Sequence, residues 1–159
     1  LDRVTKQTQA RYAIEDIMFA YGRAIDSGDL AALGALFAKG KLLLTEGREF
    51  SGAGEVSEFY RTLVQFYDTD GEPVEYRPLE TTPLTQHRVF NRRYQFDNAV
   101  SVADVESTFA TSQLIEGQLV EIALGRYEDR FARDLAGWHL VTRRIHIDLT
   151  GDMSRHMQG

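Results

Sequence analysis

Apolar residues recur at helical spacing in the first third of the chain and at every second position in the last half. That change of period divides the molecule into a helical part and a sheet. Ile14, Ile17, Met18, Tyr21 and Ile25 form one stripe, with Glu15, Asp16 and Arg23 off it, which predicts a first helix ending at Ser27-Gly28. Asp29 is placed to cap a short second helix over residues 30–37. Residues 41–45 and 49–51 read as a small hairpin around Glu46-Gly47. Val56, Phe59, Tyr60, Leu63, Val64 and Tyr67 predict a third helix. Residues 68–83 hold all three prolines and the Asp70-Gly71 turn signal, so they read as a long irregular connection. From Leu84 onward the period is two, predicting strands near 84–97, 99–114, 119–133 and 137–148. Helices first and strands afterwards point to an α+β domain in which a curved antiparallel sheet packs its concave face on three helices.

Length and composition narrow the function classes. A chain of 159 residues suits one domain, with a core over about 10–148 and a polar, loosely held tail over 149–159. Cysteine is absent, which excludes disulfides, thiolate nucleophiles and iron-sulfur clusters and leans towards the cytoplasm. No apolar run approaches the length of a membrane span, so no membrane partner is expected. A net charge of −6 argues against a nucleic-acid partner. Arg88, Arg92 and Arg93 among Phe90, Tyr94 and Phe96 suit a subunit contact instead, consistent with a homodimer or homotrimer formed through the convex side of the sheet.

Three polar residues fall where burial is expected. Counting by two from Val141 places Arg143 in a row with Ile145 and Ile147, and a guanidinium in an apolar row demands a partner or a ligand. Asp26 lies in the last turn of the first helix, where a carboxylate faces the negative end of the helix dipole and calls for hydrogen-bond donors. His87 shares a strand face with Thr85, Val89 and Asn91, a small polar set that suits a lined pocket; Arg88, Phe90, Arg92, Tyr94 and Phe96 share the other face. Tyr127 and Asp129 lie on one strand face with Phe131, with Asp129 available to pair with Arg143 or Arg144. His146, Asp148, Asp152 and His156 show no recognised metal-ligand spacing, and no metal is assigned.

Several fragments, in this order, carry a resemblance: Tyr21-Gly-Arg-Ala-Ile-Asp26-Ser-Gly-Asp29, Leu36-Phe37-Ala38, Gly52-Ala-Gly-Glu-Val56, His87-Arg-Val-Phe-Asn91, then Gly125, Tyr127, Asp129, Phe131 and Arg133 at alternate positions, and Gly137-Trp138 through Arg143. Over nearly the whole chain this resembles the SnoaL-like branch of the NTF2-like superfamily. Relatives there include cofactor-free lyases and isomerases such as hexachlorocyclohexane dehydrochlorinase, scytalone dehydratase, polyketide cyclases and ketosteroid isomerase. The resemblance implies a cone whose helices close one end of a strongly bent sheet around a pocket for a small, mostly apolar molecule. It also implies that Asp26 orients His87 as a base, with Arg143 in the same pocket. Tyr21 departs from the dehydrochlorinase, which carries a different polar group there, so the resemblance does not extend to a halogenated substrate.

The expectation is therefore a cofactor-independent proton abstraction on a small hydrophobic or cyclic organic substrate, leading to elimination, dehydration or isomerisation. A carboxylate on imidazole Nδ1 fixes the tautomer and leaves the other nitrogen to accept a proton, while Arg143 stabilises the developing anion. Tyr21, Asn91, Val89 and Tyr127 are the candidate substrate-binding residues. Two alternatives stand beside it: a small-molecule-binding protein without chemistry, and a partner subunit resembling the small subunit of ring-hydroxylating dioxygenases, which shares this fold.

Overall fold

A computed structural model describes all residues, 1–159. Helix α1 (Arg3–Asp26) begins eleven residues before the first member of its apolar stripe, because Asp2 caps it by accepting from the Thr5 amide at 2.8 Å. Asp29 caps α2 (Leu30–Ala35) through the Ala32 amide at 3.0 Å. Strands β1 (Lys41–Leu44) and β2 (Glu49–Ser51) form the expected hairpin, and α3 (Gly52–Leu63) follows. Ile14, Met18, Leu33, Phe37, Val56 and Phe131 are fully buried where these helices meet the sheet.

The predicted third helix stops four residues early. Val64 is extended, and the buried pair Phe66 and Tyr67 forms β3 (Phe66–Tyr67), which pairs with β4 (Pro73–Val74) inside the proline-rich connection. Four long strands complete the chain: β5 (Thr85–Phe96), β6 (Val102–Ile115), β7 (Gln118–Asp134) and β8 (Gly137–Thr150). They build an open six-stranded sheet in the order β2-β1-β8-β7-β6-β5. One pairing departs from the expected antiparallel sheet: β1 runs parallel to β8, with Leu42 opposite Arg143. A parallel neighbour needs a long crossover, and residues 45–136, more than half of the chain, lie between these two strands. The sheet is therefore mixed.

Bulges reset the alternation of faces. On β5, Phe90 pairs with Thr108 and Arg93 with Glu106, so two residues oppose one, and Asn91 takes φ 53°. Before the bulge Thr85, His87 and Val89 are partly buried; after it Arg92, Tyr94 and Phe96 are, while Asn91 is exposed. The expected Arg-aromatic outer face is thus split. Arg88, Phe90 and Arg93 stay outside, but Arg92 and Tyr94 turn onto α1, where the Tyr94 hydroxyl donates to Glu15 at 3.0 Å. A second bulge, between Arg130/Phe131 and Thr142/Leu140, takes Val141 out of the row that Arg143 and Ile145 occupy.

The tail is not loosely held. Gly151 N donates to Ile122 O at 2.8 Å, Gln65 N to His156 O at 2.8 Å and Gln158 N to Leu63 O at 2.7 Å. The backbone where α3 ends supplies two of these partners and β7 the third, which composition alone did not reveal. The loop after α1 is equally fixed. Gly28 takes φ 73°, and a Cβ there would lie 1.9 Å from Thr81 O. Left-handed strain and overpacking together predict that Gly28→Ala loses about 2–4 kcal/mol of stability, read as a lowered urea midpoint; an unchanged midpoint would contradict this packing.

Candidate functional site

A cavity of about 470 Å³ opens between α1, α3, the sheet and the C-terminal segment, within the usual size of a small-molecule site. Its wall is mainly aromatic and aliphatic, including Phe59, Leu63, Phe109 and Ile145. Charges gather among its lining residues in pairs: Arg126 donates to Asp148 at 2.8 and 3.1 Å, and Arg48 donates to Glu46.

Asp26 ends α1 with its carboxylate turned to β5. Oδ1 accepts from the Thr85 hydroxyl at 2.8 Å and lies 2.6 Å from His87 Nδ1; Oδ2 accepts from the His87 amide at 2.8 Å. These donors answer the unfavourable helix-end position. The close approach of helix and strand depends on Gly22, one turn earlier, where a Cβ would lie 3.0 Å from His87 Cβ. With the carboxylate accepting, Nδ1 carries the ring proton and Nε2 holds the lone pair. His87 lines the cavity, so its ring joins the acid behind it to the apolar space in front.

Tyr21 and Tyr127 also line the cavity, and Tyr21 shares a hydrogen bond with the Tyr60 hydroxyl. Burial raises the pKa of Tyr21 above its ordinary value and that of Tyr60 and Tyr127 well above it. All three keep their protons at physiological pH and can act as hydrogen-bond donors.

The other expected residues lie elsewhere. Arg143 does not line the cavity: it is fully buried, and its Nε and Nη2 donate to the two Asp129 oxygens, each at 2.8 Å. Its guanidinium carbon stacks 3.8 Å from the centre of the Tyr127 ring and 4.3 Å from that of Tyr21. Burial works against its charge, but Asp129 outweighs this and holds the guanidinium protonated. The charge that the sequence placed in the pocket is neutralised by Asp129, which lies two residues beyond Tyr127 on the same strand face. Val89 packs against the core, and Asn91 sits in the bulge, exposed, donating to the Thr108 hydroxyl at 3.2 Å. Neither reaches the cavity.

Two residues enter that sequence reasoning missed as site residues. Tyr60 lay in a helical stripe that reads as core. His156 lies in the tail, yet it is buried and lines the cavity with its ring centroid 6.3 Å from that of His87. Burial lowers its pKa to about 4; His87 acts in the same direction and Asp26 opposes it. His146, Asp148, Asp152 and His156 do not converge, since Asp148 pairs with Arg126 and Asp152 accepts from the Ser154 amide.

Two stability predictions follow from the buried charges. Arg143→Met, which leaves the Asp129 carboxylate buried alone, loses about 3–5 kcal/mol, and Arg143→Met with Asp129→Leu recovers most of it; equal losses in the single and double variants would contradict the pairing. The folded protein holds His156 uncharged down to about pH 4, whereas the unfolded chain protonates it near 6.5. The unfolded state therefore takes up the extra proton between those values, and stability falls by up to ~3 kcal/mol as pH drops from 6.5 to 4. Chemical denaturation across this range shows that component in the parent and not in His156→Phe; parallel pH profiles would rule it out.

The geometry can be set beside known proteins. A model of the SnoaL-like domain matches residues 6–144. An NTF2-like protein with a cystatin-like fold from Novosphingobium aromaticivorans is 18% identical, with TM-score 0.70 over 96% of this chain and 90% of that one. A candidate scytalone dehydratase from the same organism is 19% identical, with TM-score 0.69 over 94% and 91%. Hexachlorocyclohexane dehydrochlorinase LinA-type3 from Novosphingobium barchaimii is 11% identical, with TM-score 0.69 over 96% and 95%. At such identities these likenesses establish the fold alone. No curated protein sequence matches significantly, and no helix is long and apolar enough to cross a membrane. The matched span covers most of the chain and the architecture, an NTF2-like, cystatin-like fold, agrees with it: the chain belongs to the SnoaL-like domain family.

Proposed function

We propose that the protein is a cofactor-independent lyase or isomerase that removes a carbon-bound proton from a small, mostly apolar organic molecule. The observation that carries this reading is the contact of Asp26 with His87 Nδ1 at 2.6 Å, behind a ring that lines an otherwise largely apolar cavity. Nε2 of His87 accepts the proton from carbon, and the Asp26 carboxylate stabilises the imidazolium that forms. The electron pair left on carbon shifts towards a neighbouring carbonyl oxygen or expels a leaving group. The proton then returns to another carbon in an isomerisation, or leaves with the departing group in an elimination or dehydration.

Charge developing on oxygen needs donors already in place. The sequence assigned that task to Arg143, but its guanidinium is paired through Nε and Nη2 with Asp129 and does not line the cavity. The linked hydroxyls of Tyr21 and Tyr60 take it over, being buried, protonated and in the cavity wall. Arg143 acts from behind them, its positive face against the Tyr21 and Tyr127 rings. The dehydratase and dehydrochlorinase among the structural neighbours support this class of chemistry by analogy of fold.

Exchange of α-protons for deuterium in cyclohexanone and acetophenone, followed by proton NMR in D2O, tests the reading without knowledge of the natural substrate. The wild type exceeds buffer, His87→Ala loses about 100- to 10,000-fold of the enzymatic rate, and Asp26→Asn loses a smaller share. Exchange that neither substitution slows, or no exchange above buffer, would overturn it. A second reading, binding without turnover, draws on the neutralised Arg143 pair, which removes the one cation expected in the pocket. Ketone binding with no exchange in wild type or His87→Ala decides for that reading.

A further inference from the structure

The cavity is lined by two further imidazoles that the proton-transfer scheme does not use: His146, 2.9 Å from a Glu128 oxygen, and His156, which has no carboxylate in contact. We propose that His156 is a substrate-positioning residue, whose ring hydrogen-bonds an uncharged oxygen, a hydroxyl or carbonyl, on a ligand that His87 and the tyrosine pair hold by its other end. The inference rests on the cavity being a site for a small neutral molecule, and it does not require that proton transfer occurs.

The position is built on every side. His156 N donates to Met153 O at 3.0 Å, its carbonyl accepts from Gln65 N at 2.8 Å, and Val64 bridges to Met157. The carbonyl of the preceding Arg155 accepts from the Gln113 side chain at 2.9 Å and from the Tyr67 hydroxyl. The Gln158 side chain donates to Arg61 O and Val64 O at 3.0 and 2.7 Å. A segment tied to α3, β3 and β6 in this way presents one ring to the cavity in one place. Met153 and Met157 line the same wall beside it, so His156 is the polar group in an apolar flank.

The ring itself is left incomplete. His156 is 93% buried by side-chain and backbone together, given its 7% exposure, and Nδ1 has no hydrogen-bond partner. Nδ1 is itself shut off from the cavity, so Nε2, which likewise has no hydrogen-bond partner in the protein, is the nitrogen that a bound molecule can reach. The charged and titratable neighbours facing it are His87 and Asp26, and the ring is uncharged above about pH 4. A neutral imidazole offers one donor and one acceptor, which matches a hydroxyl or carbonyl and gives no charge complement to a carboxylate. The ligand class that follows is a compact ring compound with oxygen functions at two separate positions.

4-Hydroxyacetophenone and acetophenone share a ring and a ketone and differ by one distal hydroxyl. Wild type is expected to bind 4-hydroxyacetophenone about tenfold more tightly. His156→Phe, which keeps an aromatic filling, removes that preference to within twofold while leaving acetophenone affinity within twofold of wild type. His156→Gln retains part of the preference. The ring nitrogens of 15N-labelled His156 shift on addition of 4-hydroxyacetophenone and not of acetophenone. A preference that persists in His156→Phe, equal weakening of both ligands, or failure of both to bind wild type overturns the proposal. Deuterium entering the methyl group in the same samples reports proton abstraction separately: exchange without the preference sinks only the role of His156, and preference without exchange sinks only the lyase or isomerase reading.

Discussion

One carboxylate joins the two halves of this molecule. Asp26 closes the helical layer and accepts three hydrogen bonds from the first residues of β5, two of them from His87. A helix C-terminus has unsatisfied carbonyls and a negative dipole end, so a carboxylate there costs stability unless donors from another element answer it. The sheet supplies those donors, and in doing so it fixes the angle at which α1 crosses β5. Gly22 permits the approach and Gly28 turns the chain away immediately afterwards. The same contact that docks the layers therefore sets the orientation and tautomer of the His87 imidazole, and structural and chemical roles are not separable at this residue.

Behind the site lies a second electrostatic unit with a different logic. Arg143 and Asp129 face each other across β8 and β7, both excluded from solvent, and share two parallel hydrogen bonds. Removing two ions from water is expensive, and the return comes from bidentate geometry and from the Tyr21 and Tyr127 rings that flank the guanidinium. Those rings form part of the cavity wall. The pair thus acts on the site through tyrosines that it braces, and its net neutrality adds no unpaired charge behind them.

Much of this was legible in the residues, and the misreadings have local causes. Helical stripes and the period-two half placed every major element, and the helix-end position of Asp26 signalled its need for donors. Asn91 was assigned to the pocket because alternation was counted through it; an asparagine in the left-handed region admits a bulge, and one extra residue sends it to the opposite face. Arg143 was read correctly as a buried charge wanting a partner, but spacing along one strand does not reveal whether the partner is a ligand or a neighbouring Asp129. His156 carried no periodic signal at all, since its segment is held by backbone partners at the end of α3 and by the Gln113 side chain on β6, all distant in sequence.

The imidazoles of His87 and His156 explain each other's surroundings. With ring centres 6.3 Å apart, two positive charges would repel by about 2–3 kcal/mol at an effective dielectric of about 20. Asp26 lies against the Nδ1 of His87. His156, with no carboxylate in contact and pushed down by burial, stays neutral above about pH 4 and is left free to hydrogen-bond. The asymmetry created by one aspartate at the end of one helix gives the two rings distinct roles: one is held and oriented by a carboxylate, and the other meets the cavity as an uncharged ring.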